Sequence, residues 1–167
     1  QSDMFLVDDR DPFTVPDWDS KTPISVITQT TLSVEDTERS INNIEREFSD
    51  VVVRNDLCYA TTNRQMAVKK ICDHVELFLV IGSQNSSNCN RLREVASSNR
   101  VQAYLINSVQ ELDLTWLEDV ENVGITSGAS TPDSLVEDII RLLNPKEVIK
   151  MGGDEENITF KLPSKVL

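Results

Sequence analysis

The sequence predicts an α/β fold in which short parallel strands alternate with flanking helices. Several short runs of apolar, often β-branched residues are continuous rather than alternating, as expected for parallel strands covered on both faces. Between these runs, apolar residues recur at spacings of three and four, which indicates amphipathic helices. Strands that alternate with helices in this way are typical of βαβ units and a parallel sheet. The predicted strands are residues 4–7, 25–27, 51–53, 77–81, 102–106 and 123–125.

The first predicted helix begins after Ser33, which together with Asp36 forms a capping-type start. Residues 8–22, upstream of it, are polar and contain proline, so they are interpreted as a loop. The helix itself has one face that can be buried, because its stripe residues fall three and four apart. These residues are Val34, Thr37, Ile41, Ile44 and Phe48.

The next two helices also begin at polar residues. Thr62 and Gln65 fit the spacing of a capping box and predict the start of the second helix. Asn88 or Ser87 can cap the third helix. The second helix is predicted to run through the apolar residues Met66, Ala67 and Ile71, and the third to carry Leu92, Val95 and Ala96.

The fourth helix is predicted from Thr131 as a cap, followed by Pro132 at the first helical position and Asp133 in the first turn. Residues 144–157 contain Pro145, two glycines and an acidic run, and are interpreted as a linker. Residues 158–162 then predict a short terminal strand. The apolar residues that the fourth helix would bury are Leu135, Val136, Ile139, Ile140 and Leu143.

Composition narrows the class of protein. The chain has 167 residues, 39% hydrophobic and 26% charged, as expected for a soluble globular protein. Its net charge of -12 argues against binding to nucleic acid or to an anionic membrane surface, which both require clustered Lys and Arg. No apolar run approaches membrane-spanning length and no signal peptide is apparent. Because the first residue is Gln1, we expect a processed or partial product.

Polar side chains follow four of the predicted strands, where each chain segment leads into a helix. In open α/β sheets, ligands bind at this carboxyl end of the strands. Helix starts leave backbone N–H groups unpaired and favour an anion, and neighbouring hydroxyls and amides add uncharged donors. We call these the first, second, third and fourth polar segments: residues 28–33, 58–63, 82–88 and 126–131.

Each polar segment has a simpler interpretation, because Ser, Thr and Asn are also preferred at helix caps and turns. Four similar segments, with Gly82 and Gly128 allowing close backbone approach, favour a site for a phosphorylated ligand. Neither a Walker loop nor a GxGxxG turn is present, and the single histidine, His74, has no neighbours at ligand spacing.

The three cysteines do not form a disulfide framework, since their number is odd and their spacing unpaired. A reduced, cytosolic protein is therefore expected. Cys72 falls near a predicted helix end and Cys89 in a first helical turn, where packing roles are expected. Cys58 lies among the polar segments, but a single cysteine cannot hold an iron–sulfur cluster.

The second polar segment, with the sequence CYATTNRQ at residues 58–65, resembles a signature of 4-hydroxy-3-methylbut-2-enyl diphosphate reductases. Three other segments agree in the same order: TQTTLSV at 28–34, GSQNSSN at 82–88 and GITSGAS at 124–130. The tail sequence ENITF at 156–160 also matches. The resemblance runs from about residue 24 to residue 160 and departs from the expected pattern at Cys89 and Ser127.

The resemblance implies a reductive dehydroxylation that yields isopentenyl and dimethylallyl diphosphate, with ferredoxin or flavodoxin as electron donor. It implies a [4Fe–4S] cluster held by three cysteines, of which Cys58 is one and two lie outside this chain. Thr30 would stand near the reacting hydroxyl as a catalytic and substrate-binding residue. Ser86, Ser87, Asn88 and Ser130 would bind the diphosphate, and Thr61, Thr62 and Asn63 would lie beside the cluster.

The resemblance further implies a three-lobed α/β trefoil, of which this chain would be the C-terminal half. Residues 1–54 would be part of the middle lobe, 55–143 the complete last lobe, and 144–167 a linker and tail strand. The location would be the cytoplasm, or the plastid stroma in a eukaryote. Since the family's N-terminal motifs are missing, two functions stay open: part of the reductase, inactive alone, or a non-catalytic module that binds a phosphorylated metabolite.

Overall fold

The computed structural model describes residues 3–8, 11–54 and 57–151, and it confirms the α/β fold class. Short parallel strands alternate with helices along the chain. The strands are β1 (Ile24–Ile27), β2 (Val51–Arg54), β3 (Leu77–Ile81), β4 (Gln102–Ile106) and β5 (Val123–Ser127). The helices are α1 (Val34–Glu47), α2 (Tyr59–Cys72), α3 (Ser87–Ser98) and α4 (Asp133–Leu143), with short 3-10 turns at Val109–Glu111 and Leu114–Leu117.

The strands form two parallel sheets. β1 pairs with β2, with Ile24 opposite Val51. In the second sheet β3 lies between β4 and β5, and Leu77 faces both Gln102 and Val123. α2 and α3 pack against each other and cover one face of this sheet, while α4 packs on the other. The division into three parts at residues 54 and 143 stays a prediction.

β3 is the centre of the core, because all five of its side chains are buried. Phe78 and Val80 join the cluster under α2 and α3, which also contains Val68 and Leu92. Leu77, Leu79 and Ile81 join the cluster under α4, around Ile139. Continuous burial on both faces of β3 therefore confirms the prediction made from its unbroken apolar run.

The prediction that strands are buried on both faces is wrong for β1 and β2. Their side chains alternate between half-buried and exposed, and Ile27 and Val52 are 76% and 58% exposed. The reason is that α1 covers one face of this two-stranded sheet and no described element covers the other. The strand predicted at residues 4–7 is also wrong: the segment pairs with none of the described strands, and Met4 and Leu6 are largely exposed.

Three helix starts differ from the predicted ones. α2 begins at Tyr59 with Cys58 as N-cap, so Thr62 lies inside the helix rather than capping it. α3 is capped by Ser86, one residue before Ser87 and two before Asn88, the two predicted caps. Pro132, not Thr131, is the N-cap of α4, because the Thr131 hydroxyl donates to a carbonyl of β3 instead.

The first helix matches its prediction, with Ser33 as N-cap and its hydroxyl accepting from the N–H of Asp36. The fourth helix fully buries Ile139, while the other predicted core positions of α4 are half-buried. No described helix is long and apolar enough to cross a membrane. The predicted terminal strand at 158–162 and most of the predicted linker lie outside the described residues.

We expect Ile139→Ala to lower the free energy of unfolding by about 2–5 kcal/mol, because it leaves a cavity in the core under α4. Leu142→Ala is the matched control, since Leu142 lies on the same helix but is 46% exposed; its effect should stay within about 0.5 kcal/mol. Urea denaturation measures both. Equal losses in the two variants would show that α4 does not bury the face described.

Candidate functional site

The first polar segment is attached to the start of α2. The carbonyl oxygen of Thr30 accepts the backbone N–H of Cys58 at 3.1 Å. Thr30 and Cys58 are both exposed, so the Thr30 hydroxyl and the Cys58 thiol can reach a ligand. The structure therefore brings together two of the predicted site residues that are 28 positions apart in the sequence.

The remaining residues of the second polar segment lie in the first turns of α2. Thr61 is buried, with 5% exposure, and Thr62 donates its hydroxyl to the carbonyl of Cys58 at 3.2 Å. Asn63 is half-buried on the same helix. Thr62 thus fixes the backbone of Cys58 from within the helix, while Thr61 packs behind it.

The third polar segment leads into α3. Ser86 caps the helix, its Oγ accepting the N–H of Cys89 at 3.3 Å, and Ser87 is exposed at the first helical position. Asn88 follows, and both polar atoms of its side-chain amide are buried without a hydrogen-bond partner among the described residues. A buried amide left in this state costs about 1–3 kcal/mol, so Asn88 is the unusual residue of this segment.

The fourth polar segment is tied to β3. The N–H of Gly128 and the hydroxyl of Thr131 both donate to the carbonyl of Ile81, at 3.0 and 3.1 Å. Thr126 and Ser127 belong to β5 itself. Ser130 is exposed between these anchors, so its hydroxyl stays available at the carboxyl end of the sheet.

Cys89 joins the third and fourth polar segments. A Cβ built on Gly82 would lie 2.6 Å from the Cys89 Sγ, and one built on Gly128 would lie 2.5 Å from it. Both are also close to the hydroxyl oxygen of Thr131, at 2.9 and 3.1 Å. Gly82 in addition has φ +152, a conformation that favours glycine. The two segments therefore approach through their glycines, with the Cys89 sulfur between them.

A cleft of about 1610 Å³ lies between the first polar segment and α3. Arg91 on its wall is paired with Asp36 at 3.4 Å and with Glu94 at 3.1 Å, so its charge is already compensated. The wall contributed by the N-terminal segment is acidic, through Asp17 and Asp19. An anion is therefore better placed on the α3 side, where the cleft is lined by Ser87 and Asn90.

The charges at the helix starts also favour an anion at α2 or α3 rather than at α1 or α4. α1 has Glu35 and Asp36 in its first turn, and α4 has Asp133, so each already has a negative charge near its positive end. α2 and α3 have no acidic residue in their first turns. Among the four helices, α2 and α3 are therefore the ones whose free N–H groups can bind an external anion.

The described cysteines do not form a complete metal site. Cys58 is exposed, whereas Cys72 and Cys89 are buried. Burial, with a smaller contribution from the charge of Asp73, raises the pKa of Cys72 to about 11, so it stays a thiol in the core. Within residues 3–8, 11–54 and 57–151, no three His, Cys, Asp or Glu side chains come together to hold a metal. Cys58 alone fits a single ligand of a cluster.

Sequence reasoning missed the roles of several residues that organise this site. Gln65 is 1% exposed and bonds to the first polar segment, Arg91 links α3 to α1, and Cys89 and Thr131 join two segments. Their contacts span tens of residues, which local patterns do not report. One signal was present for Gln65, because a spacing of three and four places it on the buried stripe of α2 with Thr61.

Comparisons with known proteins agree on one family. A family model described as "LytB protein" matches residues 1–144. The chain is 45% identical over 161 residues to 4-hydroxy-3-methylbut-2-enyl diphosphate reductase from Burkholderia pseudomallei, covering 93% of this chain and 50% of that protein. The enzyme of the same name from Zymomonas mobilis is 47% identical over 149 residues, or 86% of this chain and 44% of that protein.

A solved structure agrees as well. The structure of E-1-hydroxy-2-methyl-but-2-enyl-4-diphosphate reductase from Plasmodium falciparum superposes with a TM-score of 0.82 at 33% identity. The match covers 89% of this chain and 49% of that one. The chain thus spans about half the length of the relatives that it matches.

The contact between the third and fourth polar segments can be tested by a double-mutant cycle. Gly128→Ala should destabilise the protein by about 1–3 kcal/mol, because the new methyl group overlaps the Cys89 sulfur. In the double variant Gly128→Ala with Cys89→Ala, the overlap with sulfur is removed. The double variant should therefore be more stable than the sum of the single effects by at least about 1 kcal/mol. Additive effects in urea denaturation would refute the contact.

Proposed function

Because this chain belongs to the LytB protein family, we propose that it is the C-terminal half of a 4-hydroxy-3-methylbut-2-enyl diphosphate reductase and binds the substrate's diphosphate. The enzyme would be an oxidoreductase of isoprenoid biosynthesis that removes the allylic hydroxyl and forms isopentenyl and dimethylallyl diphosphate. The reductive step would need the other half of the protein. Ferredoxin or flavodoxin would be the electron donor.

The buried amide of Asn88 is the observation that supports diphosphate binding most strongly. Its two polar atoms have no partner among the described residues, although leaving an amide buried and unpaired is costly. Natural proteins keep such groups chiefly where function needs them. Asn88 lies in the first turn of α3, a helix start with no acidic residue, where an anion would give the amide nitrogen an acceptor.

The neighbouring donors suit the same ligand. The Ser86 oxygen already accepts the Cys89 N–H, which leaves the hydroxyl proton of Ser86 free to be donated. Ser87 is exposed beside it, and Ser130 is exposed on the fourth polar segment, which Cys89 joins to the third. Hydrogen bonds to a charged oxygen are about twice as strong as neutral ones, so several such donors can hold a diphosphate without Lys or Arg.

The reacting end of the substrate would lie toward the first and second polar segments. Thr30 would donate or accept a hydrogen bond at the allylic hydroxyl, as its exposed position allows. Cys58 would be the single cluster ligand from this chain, with its backbone fixed by Thr62 and Thr30. Thr61 and Asn63 would support it from α2. When bound, the [4Fe–4S] cluster would supply the electrons, and the two other thiolates would have to come from outside the described residues.

A specific observation favours a second candidate function. The described residues contain one exposed thiol and no group of three metal ligands, which is what a non-catalytic module for a phosphorylated metabolite would show. Such a module would use the same donors at the start of α3 and would never engage Cys58 with iron. The two candidates therefore differ in what happens at Cys58, not in how the diphosphate binds.

Asn88→Ala should change stability and binding in opposite directions. Removing a buried, unpaired amide should leave the free energy of unfolding unchanged or raise it by up to about 1–3 kcal/mol. The same substitution should weaken pyrophosphate binding, in calorimetry, by about 1.5–3 kcal/mol for the lost charge-assisted hydrogen bond. That corresponds to a Kd about 10-fold to 100-fold higher.

Asn99→Ala is the matched control for this test. Asn99 lies at the other end of α3, where its side-chain amide donates to the carbonyl of Val95 at 2.8 Å. Its loss should lower stability slightly and leave pyrophosphate binding unchanged. If Asn88→Ala destabilises the protein and binds pyrophosphate like the unmodified chain, Asn88 is an ordinary structural residue and the proposed site is wrong.

The fate of Cys58 separates the two candidate functions. After anaerobic reconstitution with iron and sulfide, the 167-residue chain alone should show neither the visible absorption of a [4Fe–4S] cluster nor, after reduction with dithionite, its EPR signal, since one accessible thiol is too few. Co-expression with the part of the Burkholderia pseudomallei relative that this chain does not cover should restore the signal, and Cys58→Ser should abolish it. A signal that survives Cys58→Ser would remove Cys58 from the ligand set.

A further inference from the structure

We infer that Gln65 is a positioning residue that holds Thr30 and Cys58 next to each other, an inference that rests on the proposed function. Gln65 lies on α2 and is 1% exposed, yet it is polar. Among the described residues, its side-chain amide bonds to the first polar segment and to the continuation of that segment into α1. The proposed diphosphate-binding residues, which we call the diphosphate grip, are Ser86, Ser87 and Asn88 at the start of α3 and Ser130 on the fourth polar segment. Diphosphate binding therefore gives Gln65 no role.

The amide of Gln65 makes two hydrogen bonds to backbone groups far away in the sequence. Its Nε2 donates to the carbonyl of Leu32 at 2.9 Å, and its Oε1 accepts the N–H of Val34 at 3.3 Å. The Val34 N–H is one of the free donors at the start of α1, which has no partner within the helix. The amide therefore satisfies backbone groups on both sides of the Ser33 cap.

The second attachment lies two helical turns away. The N–H of Cys58 donates to the carbonyl of Thr30 at 3.1 Å, and Gln65 is seven residues further along α2. Seven residues are close to two full turns, so one attachment lies at the N-cap of α2 and the other about two turns into the helix. Residues 30–34 are thereby held to α2 at both ends, by the hydrogen bond at Thr30 and by the one at Val34.

The ion pair between Lys69 and Glu35, also between α2 and α1, does not replace this attachment. The two side chains are 34% and 50% exposed, and an exposed ion pair contributes about 0–1 kcal/mol at most. Hydrogen bonds of a buried amide are not screened by salt in this way. Of these two links between α2 and the start of α1, the Gln65 amide is therefore the buried one that salt does not screen.

The alignment of α1 with α2 near Thr30 matters to the reaction that we propose. Thr30 would face the reacting hydroxyl and Cys58 the cluster, so the distance between them would set the geometry of the reacting end. A misplacement of about 1 Å can cost on the order of a hundredfold in rate. A fully buried glutamine at this position gives a rigid attachment that an apolar residue of the same size could not give.

The test uses the 167-residue chain without any ligand. In Gln65→Met, the volume is kept but the amide is lost, and hydrogen exchange is followed at the N–H groups of Val34 and Cys58 by NMR. The substitution removes the acceptor of the Val34 N–H, so faster exchange at Val34 follows directly from the lost hydrogen bond. Exchange at Cys58 reports on position, because the Gln65 side chain bonds to Leu32 and Val34 and makes no described hydrogen bond to Cys58 or Thr30. We expect exchange at Cys58 to become about tenfold faster, equivalent to about 1.4 kcal/mol.

Val68→Ala is the matched control, since Val68 is the next fully buried residue on the same stripe of α2 and makes no hydrogen bond with its side chain. It lowers global stability but should leave exchange at Cys58 unchanged relative to neighbouring α2 amides. If Gln65→Met does not fold, Gln65→Asn keeps the amide and shortens its reach by one methylene. Exchange at Cys58 that rises no more than in Val68→Ala makes Gln65 an ordinary core residue and overturns the inference.

Pyrophosphate titration of the same variants separates this inference from the proposed function. The unmodified chain and Gln65→Met should bind pyrophosphate with Kd values within about twofold, because the grip at α3 is held by other contacts. A large loss of affinity in Gln65→Met would contradict the assignment of Gln65 to the reacting end. An unmodified chain that does not bind pyrophosphate would overturn the proposed function, while the exchange result would still decide whether Gln65 fixes residues 30–34.

Discussion

Backbone N–H groups at the start of a helix have no partner within the helix, and the arrangement of the whole site depends on how this chain satisfies them. At the start of α1, the Ser33 hydroxyl and the Gln65 amide accept backbone N–H groups, and both α1 and α4 have acidic residues in their first turns. α3 also begins with a serine cap but has no acidic residue in its first turn, which contains an exposed serine and an asparagine whose amide is buried without a partner among the described residues. Among the described helices, the start of α3 therefore carries a buried side-chain amide with unmet hydrogen-bonding capacity, which is the physical basis of an anion site in a chain with a net charge of -12.

The core explains why these helix starts are held in place. β3 is buried on both faces and pairs in parallel with β4 and β5, so it fixes where the third and fourth polar segments leave the sheet. Two further contacts then bring segments together: the Cys89 sulfur between Gly82 and Gly128, and the Gln65 amide on the first segment. The first contact would set the geometry of the diphosphate grip, and the second would set that of the reacting end.

Local patterns predicted the elements but not the contacts between them. The unbroken apolar run of β3 correctly predicted a strand buried on both faces, because helices cover the sheet on both sides of β3. The same reasoning was wrong for β1 and β2, since four residues do not reveal whether a second layer exists. Helix starts were misplaced where a hydroxyl bonds to a distant group, as Thr131 does with β3. The polar segments were predicted from turn chemistry, whereas the role of Cys58 came only from the family resemblance.

The most direct test of the central claim is a pyrophosphate titration followed by two-dimensional NMR of the isotope-labelled chain. If uncharged donors at the start of α3 bind the diphosphate, the largest shift changes will lie at residues 83–89 and 128–131, with little change around Arg91 and Lys69. Saturation should be reached without protein unfolding. Shift changes that are absent, or that centre on the Lys and Arg side chains instead, would contradict a neutral site built on helix starts.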